Sequence, residues 1–234
     1  MRYMPSKKTL PSIVALVLVV NVITCASASM LKQSIAFLST GTITYSSSFK
    51  IVVQVGASQD DAGAWWDWSG YYWPWTLDKS HVSVGGFTDG SQYNGGLRFA
   101  SVNIPQEAKI VAAVLKVCAD QTCAGTGARW NICGEYVGDS ASFSTKQDFD
   151  ARPTTVSVKD TGFFTGWIEG TWYQIDGLTS IIQETVNRSD WKSGNALALL
   201  LFGHADARTT HEIRSYDANP SQAAMIEVVY EIVG

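Results

Sequence analysis

The stretch GGLRFASVNIPQEAKIVAAVLKV, Gly95–Val117, decides the fold class. Leu97 and Phe99 alternate with Arg98. Beyond the Pro-Gln-Glu-Ala turn, Ile110 opens a second apolar run that ends in Ala113, Leu115 and Val117, with Lys116 interleaved. A period of two marks a half-buried strand. Pro105 has no N–H to give to a ladder, so pairing has to break after Ile104. Two strands joined by a turn are expected here, within an all-β antiparallel sandwich carrying one short helix. The rest of the composition agrees. Only 16% of residues are charged, Gly, Ser and Thr are frequent, and Val, Ile and aromatics are abundant, which favours strands and turns over helices.

Upstream, residues 1–28 combine Arg2, Lys7 and Lys8 with the apolar run Ile13–Thr24 and then Ala26-Ser27-Ala28. This is the pattern of a secretory signal peptide with an A-x-A cleavage site. The run falls short of the ~20 residues that span a bilayer, which argues against the alternative of an uncleaved anchor. A single β-sandwich domain, residues 29–234, is expected, secreted or held at the cell surface, with no membrane insertion of the mature chain. Of the chain's 17 basic and 21 acidic residues, the first 28 hold three basic and no acidic ones, leaving a net charge of −7. An acidic chain without a Lys/Arg cluster is a poor partner for nucleic acid or anionic membrane.

Between the signal segment and Gly95, Ile35–Tyr45 reads as an edge strand. Phe49, Ile51, Val53 and Val55 alternate with Lys50, Val52 and Gln54 as a second strand. Then comes GAWWDWSGYYWPWTLD, Gly63–Asp78, which holds five of the nine tryptophans. Gly70 and Pro74 interrupt it and no strand or helix period fits, so it reads as a loop. Its rings, Trp65, Trp66, Trp68, Tyr71, Tyr72, Trp73 and Trp75, are the candidate ligand-binding residues. Flat aromatic faces with a polar handle suit stacking against sugar rings, with Asp67 or Asp78 available to accept from hydroxyls. Two other readings use the same chemistry: the loop caps its own sandwich, or it contacts another subunit.

Downstream, a hairpin centred near Gly125-Thr126 would set Cys118 opposite Cys133, and an exported protein permits that disulfide. Cys118–Cys123 is the alternative pairing. The histidines lie too far away in sequence for a standard zinc site. Val156–Val158 reads as a short strand and Asp176–Arg188 as the helix, with Asp176 as N-cap and Leu178, Ile181, Ile182 and Val186 on one stripe. Trp191 should pack this helix against a sheet. Ala196–Phe202 reads as a strand buried on both faces. Ile226, Val228, Tyr230 and Ile232 alternate with Glu227 and Glu231. Arg98 and Arg214, each between apolar neighbours, should pair with a carboxylate or a carbonyl. The Asn187-Arg188-Ser189 sequon is a glycan acceptor by pattern, placed where an Asn also serves to end a helix.

Taken together, LRFASVNIPQEAKIVAAVLKV, ICGEYVGDSASF, RPTT, LTSIIQETVNRSDWKSGNALALL and RSYDANPSQAAMIEVVY occur in that order over roughly Gly95–Tyr230. This order resembles the DNRLRE or disaggregatase-related β-sandwich modules of microbial surface proteins, which are allied to jelly-roll carbohydrate-binding modules. The resemblance implies a jelly-roll-type antiparallel β-sandwich, and a non-catalytic module in a cell-envelope or polysaccharide-associated protein. The tryptophan loop and the cysteines have no counterpart in that pattern, so no binding residue is carried over from it.

No G-x-S-x-G elbow, H-E-x-x-H or phosphate-cradling loop occurs. His204 near Asp206, and His211 beside Glu212, read as solvated residues of a turn-rich surface segment rather than as catalytic groups. Calcium is the expected ion, because hard cations take carboxylate and carbonyl oxygens. Asp60 with Asp61, and Glu135 with Asp139, are its candidate ligands, and Asp217 with Asn219 form a further cluster. The expected function is polysaccharide binding through the aromatic loop. The alternative is a structural subunit of an envelope layer or filament, self-assembling through that loop and the Thr-rich first strand.

Overall fold

A computed structural model describes residues 29–37, 43–64, 75–123, 127–207 and 209–233. The aromatic residues Trp65, Trp66, Trp68, Tyr71, Tyr72 and Trp73, and residues 1–28, read above as a signal peptide, lie outside the described residues. In chain order the strands are β1 (Ser29–Phe37), β2 (Ile43–Gln54), β3 (Asp61–Ala64), β4 (Trp75–Thr76), β5 (His81–Gly86), β6 (Gln92–Tyr93) and β7 (Gly95–Phe99). They continue as β8 (Lys109–Cys118), β9 (Trp130–Glu135), β10 (Thr154–Asp160), β11 (Trp172–Ile175), β12 (Leu197–Gly203), β13 (Thr209–Arg214) and β14 (Met225–Val233). Two helices, α1 (Lys146–Ala151) and α2 (Thr179–Val186), lie among them. The strands form two antiparallel sheets, β1-β2-β14-β8-β11 and β10-β9-β12-β7-β3-β5-β13, with β4 paired to β3 and β6 to β5. The all-β sandwich read from Gly95–Val117 is what the chain builds.

The two strands of that stretch go to different layers. β7 pairs with β12 and β3, whereas β8 pairs with β14 and β11. The Pro105 turn is therefore a crossing between sheets. Leu97, Phe99, Val102 and Ile104 on one side of it, and Ile110, Ala113, Leu115 and Val117 on the other, face one buried core. Glu107 in the turn adopts a left-handed φ of 60°, a conformation that costs a non-glycine residue free energy and persists where neighbours hold it. Here Glu107 N donates to Val186 O (3.1 Å) and Trp191 Nε1 donates to Ile104 O (2.9 Å).

Trp191 is 1% exposed and packs as expected. Helix α2 begins at Thr179, three residues later than read. Leu178 rather than Asp176 is its N-cap, with no side-chain cap bond. Burial of Leu178, Ile181, Ile182 and Val186 drives the helix in place of a cap. The helix also repairs two places where strand pairing fails. β11 pairs with β8 only over Leu115–Cys118, and further along β8 Gln183 accepts from Ile110 N (2.8 Å) and donates to Ala108 O (3.0 Å). At the edge strand β10, Glu184 accepts from Val156 N and Ser157 N, which blocks part of that edge against further pairing.

Strand β12 is buried on both faces, as its unbroken apolar run implies. Leu197, Leu199 and Leu201 face the main core. Ala198 and Leu200 face a satellite core with Ala62, Phe143 and Phe149. Gly96 makes that satellite possible, because a Cβ there would lie 2.3 Å from the Phe143 ring.

The expected Cys118–Cys133 hairpin does not form. β8 ends in the smaller sheet, with Cys118 opposite Trp172, while Cys133 sits in the larger sheet opposite Val158 and Leu200. All three described cysteines are free thiols, so the disulfide reading is corrected. Beyond Cys118 the chain turns across to the other sheet. Ala119 bridges Ile213, and Asp120 N donates to Glu212 O (2.9 Å). Arg214 locks that corner by donating to Asp120 Oδ1 (2.8 Å) and Gln222 Oε1 (2.6 Å), while His81 Nδ1 lies 3.2 Å from Asp120 Oδ2.

Candidate functional site

Strands β3 and β4 pair through Gly63–Thr76 and Ala64–Trp75, so the tryptophan-rich segment leaves and rejoins the larger sheet at one point. Of the expected aromatic binders, Trp75 is the one the described residues place. Its ring rests on Phe149 of α1, centroids 4.8 Å apart and tilted 43°. Phe149 in turn contacts Phe202 (5.5 Å) and Phe143 (6.4 Å). The Arg152 guanidinium lies 4.3 Å from the Phe143 centroid and is fixed by Glu135 (2.8 Å) and by the carbonyls of Ala141 and Ser142. Trp75 is thus half-buried at the rim of a rigid aromatic stack.

On one side of it opens a groove of ≈ 440 Å³ lined by Ser58, Gln59, Trp75, Thr76, Leu77, Asp78 and Ser144. That volume falls in the range of small-molecule sites. Thr76 Oγ1 donates to Asp78 Oδ1 (2.8 Å), which orients the carboxylate, and Ser58 Oγ donates to Asp217 Oδ1 (2.7 Å). The groove therefore offers hydroxyl, amide and carboxylate groups beside one aromatic face. Trp75 Nε1 is buried and meets no hydrogen-bond partner among the described residues.

Of these groups only Trp75 and Asp78 were singled out from the sequence. Ser144 comes from a part of the chain 69 positions away from Trp75, and no local pattern announces it. Helix α1, which carries Phe149 beneath Trp75, does have a local signal. Thr145 Oγ1 accepts from Asp148 N and Asp148 Oδ2 accepts from Ser144 N (both 3.1 Å), a variant of the capping box.

The expected calcium ligands are otherwise engaged. Asp60 Oδ1 takes the Arg98 guanidinium at 2.5 Å, as Arg98 was expected to find a carboxylate. Asp61 is 2% exposed and accepts from Tyr216 N (2.7 Å). Burial, helped by the neighbouring Asp217 and Asp60, pushes its pKa up to about 7. Glu135 is tied to Arg152 and Asp139 to Ala196 N. No set of three or more His, Cys, Asp or Glu converges on a cation position among the described residues, and a carboxylate bound to arginine has little to offer a metal.

The histidines differ from the expectation as well. His211 is not on a turn-rich surface: it lies on β13, 1% exposed, stacked on Trp167 at 4.5 Å and 11°. Burial drives its pKa down to about 4, so it stays neutral. His204 is half-buried in a turn with Nδ1 3.3 Å from Asp206 Oδ1. Neither stands beside a nucleophile in the hydrogen bonds of the described residues.

No helix among the described residues is long and apolar enough to cross a membrane. The fold and the groove define a class, a two-sheet antiparallel sandwich with an aromatic-walled groove on its larger sheet. No protein-family model matches the chain, and no curated protein matches its sequence.

Proposed function

We propose that this protein is a non-catalytic, secreted or cell-surface β-sandwich module that binds polysaccharide in the groove beside Trp75. The observation that carries the reading is the groove itself, where a braced indole adjoins Ser58, Gln59, Thr76 and Asp78. Sugars present apolar ring faces and dense hydroxyls, and this wall offers a stacking surface with donors and acceptors at its edge. The segment that carries six further aromatics joins the sheet at Ala64 and Trp75. The motif order over Gly95–Tyr230 supports the cell-surface part of the reading. The burial of His211 supports a binding role over a catalytic one.

Titration of tryptophan fluorescence with a polysaccharide panel, with and without calcium, tests it. Saturable binding should fall about ten- to a hundredfold in Trp75→Ala, the loss typical of a central aromatic anchor. Circular dichroism checks that the variant stays folded. No response to any glycan refutes the reading and favours the structural subunit. One observation supports that alternative: β1 forms the edge of the smaller sheet and pairs with β2 alone among the described strands, leaving a side that another copy's strand can extend. Size exclusion at micromolar concentration separates a monomer from such assemblies.

A further inference from the structure

Trp75 lines two hollows. Besides the groove of ≈ 440 Å³, it lines a second hollow of ≈ 90 Å³ with Ala64, Gln92, Tyr93, Asn94 and Lys146. Among the described residues the two share Trp75 and no other lining residue. The smaller one is well under the few hundred Å³ of a complete small-molecule site, so it has room for a substituent and not for a whole sugar unit. Its lining is largely apolar, with the side-chain amides of Gln92 and Asn94 set into it. Asn94 Oδ1 accepts from Gly203 N (2.9 Å), so the side of that amide left for a ligand is its NH₂ donor. Gln92 is exposed on β6, with an amide that can both donate and accept. Ala64 adds little bulk to the lining, and the Trp75–Phe149 contact braces the indole that lines both hollows.

We propose that Trp75 separates two subsites of one polysaccharide site, so that the ligand is the interior of an extended chain crossing the indole. One sugar unit occupies the groove, and a hydroxyl or hydroxymethyl group of the adjoining unit enters the smaller hollow, where Gln92 and Asn94 read it. This rests on the polysaccharide reading above and adds to it a requirement for chain length and a specificity pocket. A ligand confined to the groove needs neither.

The test is calorimetric titration with β-1,4-glucan, β-1,3-glucan and chitin oligosaccharides, each from the monosaccharide to the hexasaccharide. Affinity should rise with length once a second unit can cross Trp75, and then level off. Gln92→Ala, a change at an exposed position, should lower affinity for the longer oligomers about five- to tenfold, the worth of one or two hydrogen bonds. It should leave the monosaccharide unaffected, whereas Thr76→Ala should weaken every length. Monosaccharides binding as tightly as hexasaccharides, or a Gln92→Ala effect that is absent or equal at all lengths, overturns the two-subsite inference while polysaccharide binding stands. Failure of every oligosaccharide to bind overturns both.

Discussion

Asp61 and His211 are buried ionisable residues whose effects on stability oppose each other. Asp61, at about 7 in the folded chain against an ordinary 3.8, holds a proton that the unfolded chain releases. Folding stability therefore falls as pH rises from about 4 to 7, by roughly 4 kcal/mol, and is flat above. His211, at about 4 against an ordinary 6.5, refuses a proton that the unfolded chain accepts. Its contribution is present above pH 6.5 and is lost towards pH 4, by roughly 3 kcal/mol. Across the shared window the two slopes nearly cancel. Urea unfolding should show Asp61→Asn gaining stability at pH 8 and losing it steadily below pH 6.5. His211→Phe, which keeps a ring on Trp167, should lose stability from pH 4 to 7. Parallel pH profiles for wild type and both variants would refute these assignments. Neither shift is visible in the sequence, where Asp61 reads as a candidate calcium ligand and His211 as a surface residue, because each shift comes from what is packed over it.

At the scale of elements, α2 with Trp191 and α1 with Arg152 are the two attachments to the sandwich. Trp191→Ala removes a fully buried indole and its bond to Ile104 O, and should cost about 3–5 kcal/mol in equilibrium unfolding. An unchanged denaturation midpoint would mean that α2 is not anchored by this residue. Arg152→Ala leaves the buried Glu135 carboxylate without its partner and strips the cation from Phe143. A loss of about 3–5 kcal/mol is expected, and a double variant with Glu135→Gln should recover part of it. A double-variant stability equal to the sum of the two single losses would show that the pair is not coupled. The stripe of α2 was legible because an apolar face repeats at helical spacing. Helix α1 is six residues long, too short for a periodicity to emerge, and only its cap residues betray it.

For the whole molecule, the free thiols make a prediction about cross-linking. With Cys118 and Cys133 on different sheets and unpaired, a reducing agent should leave the thermal midpoint unchanged. A thiol reagent should modify Cys123, the half-buried one, first, and Cys118 and Cys133 only on unfolding. Burial also pushes the Cys118 and Cys133 thiols up, which slows them further. A midpoint that drops sharply on reduction would show that a disulfide forms after all. The hairpin that suggested the bond was a reasonable local reading, since Lys116–Ala119 and Arg129–Glu135 both look like strands. Whether two strands pair with each other or with distant partners is decided by which sheet each joins.

The alternation in Gly95–Val117, the continuous run at Ala196–Phe202 and the acidic alternation at the C-terminal strand determined by themselves that the chain is a β-sandwich, because period-two burial needs nothing beyond a core on one side. Trp75 as a groove wall was half legible. Its residue type announced contact chemistry, but its orientation comes from Phe149, backed by Phe143 and Phe202, which two distant parts of the chain bring together. Only the tertiary structure decided that the Pro105 turn crosses between layers, that Asp60 and Glu135 bind arginines, and that one indole lines two hollows. Those features are contacts between residues far apart in the chain, and such proximity is set by the packing of two sheets rather than by any local spacing.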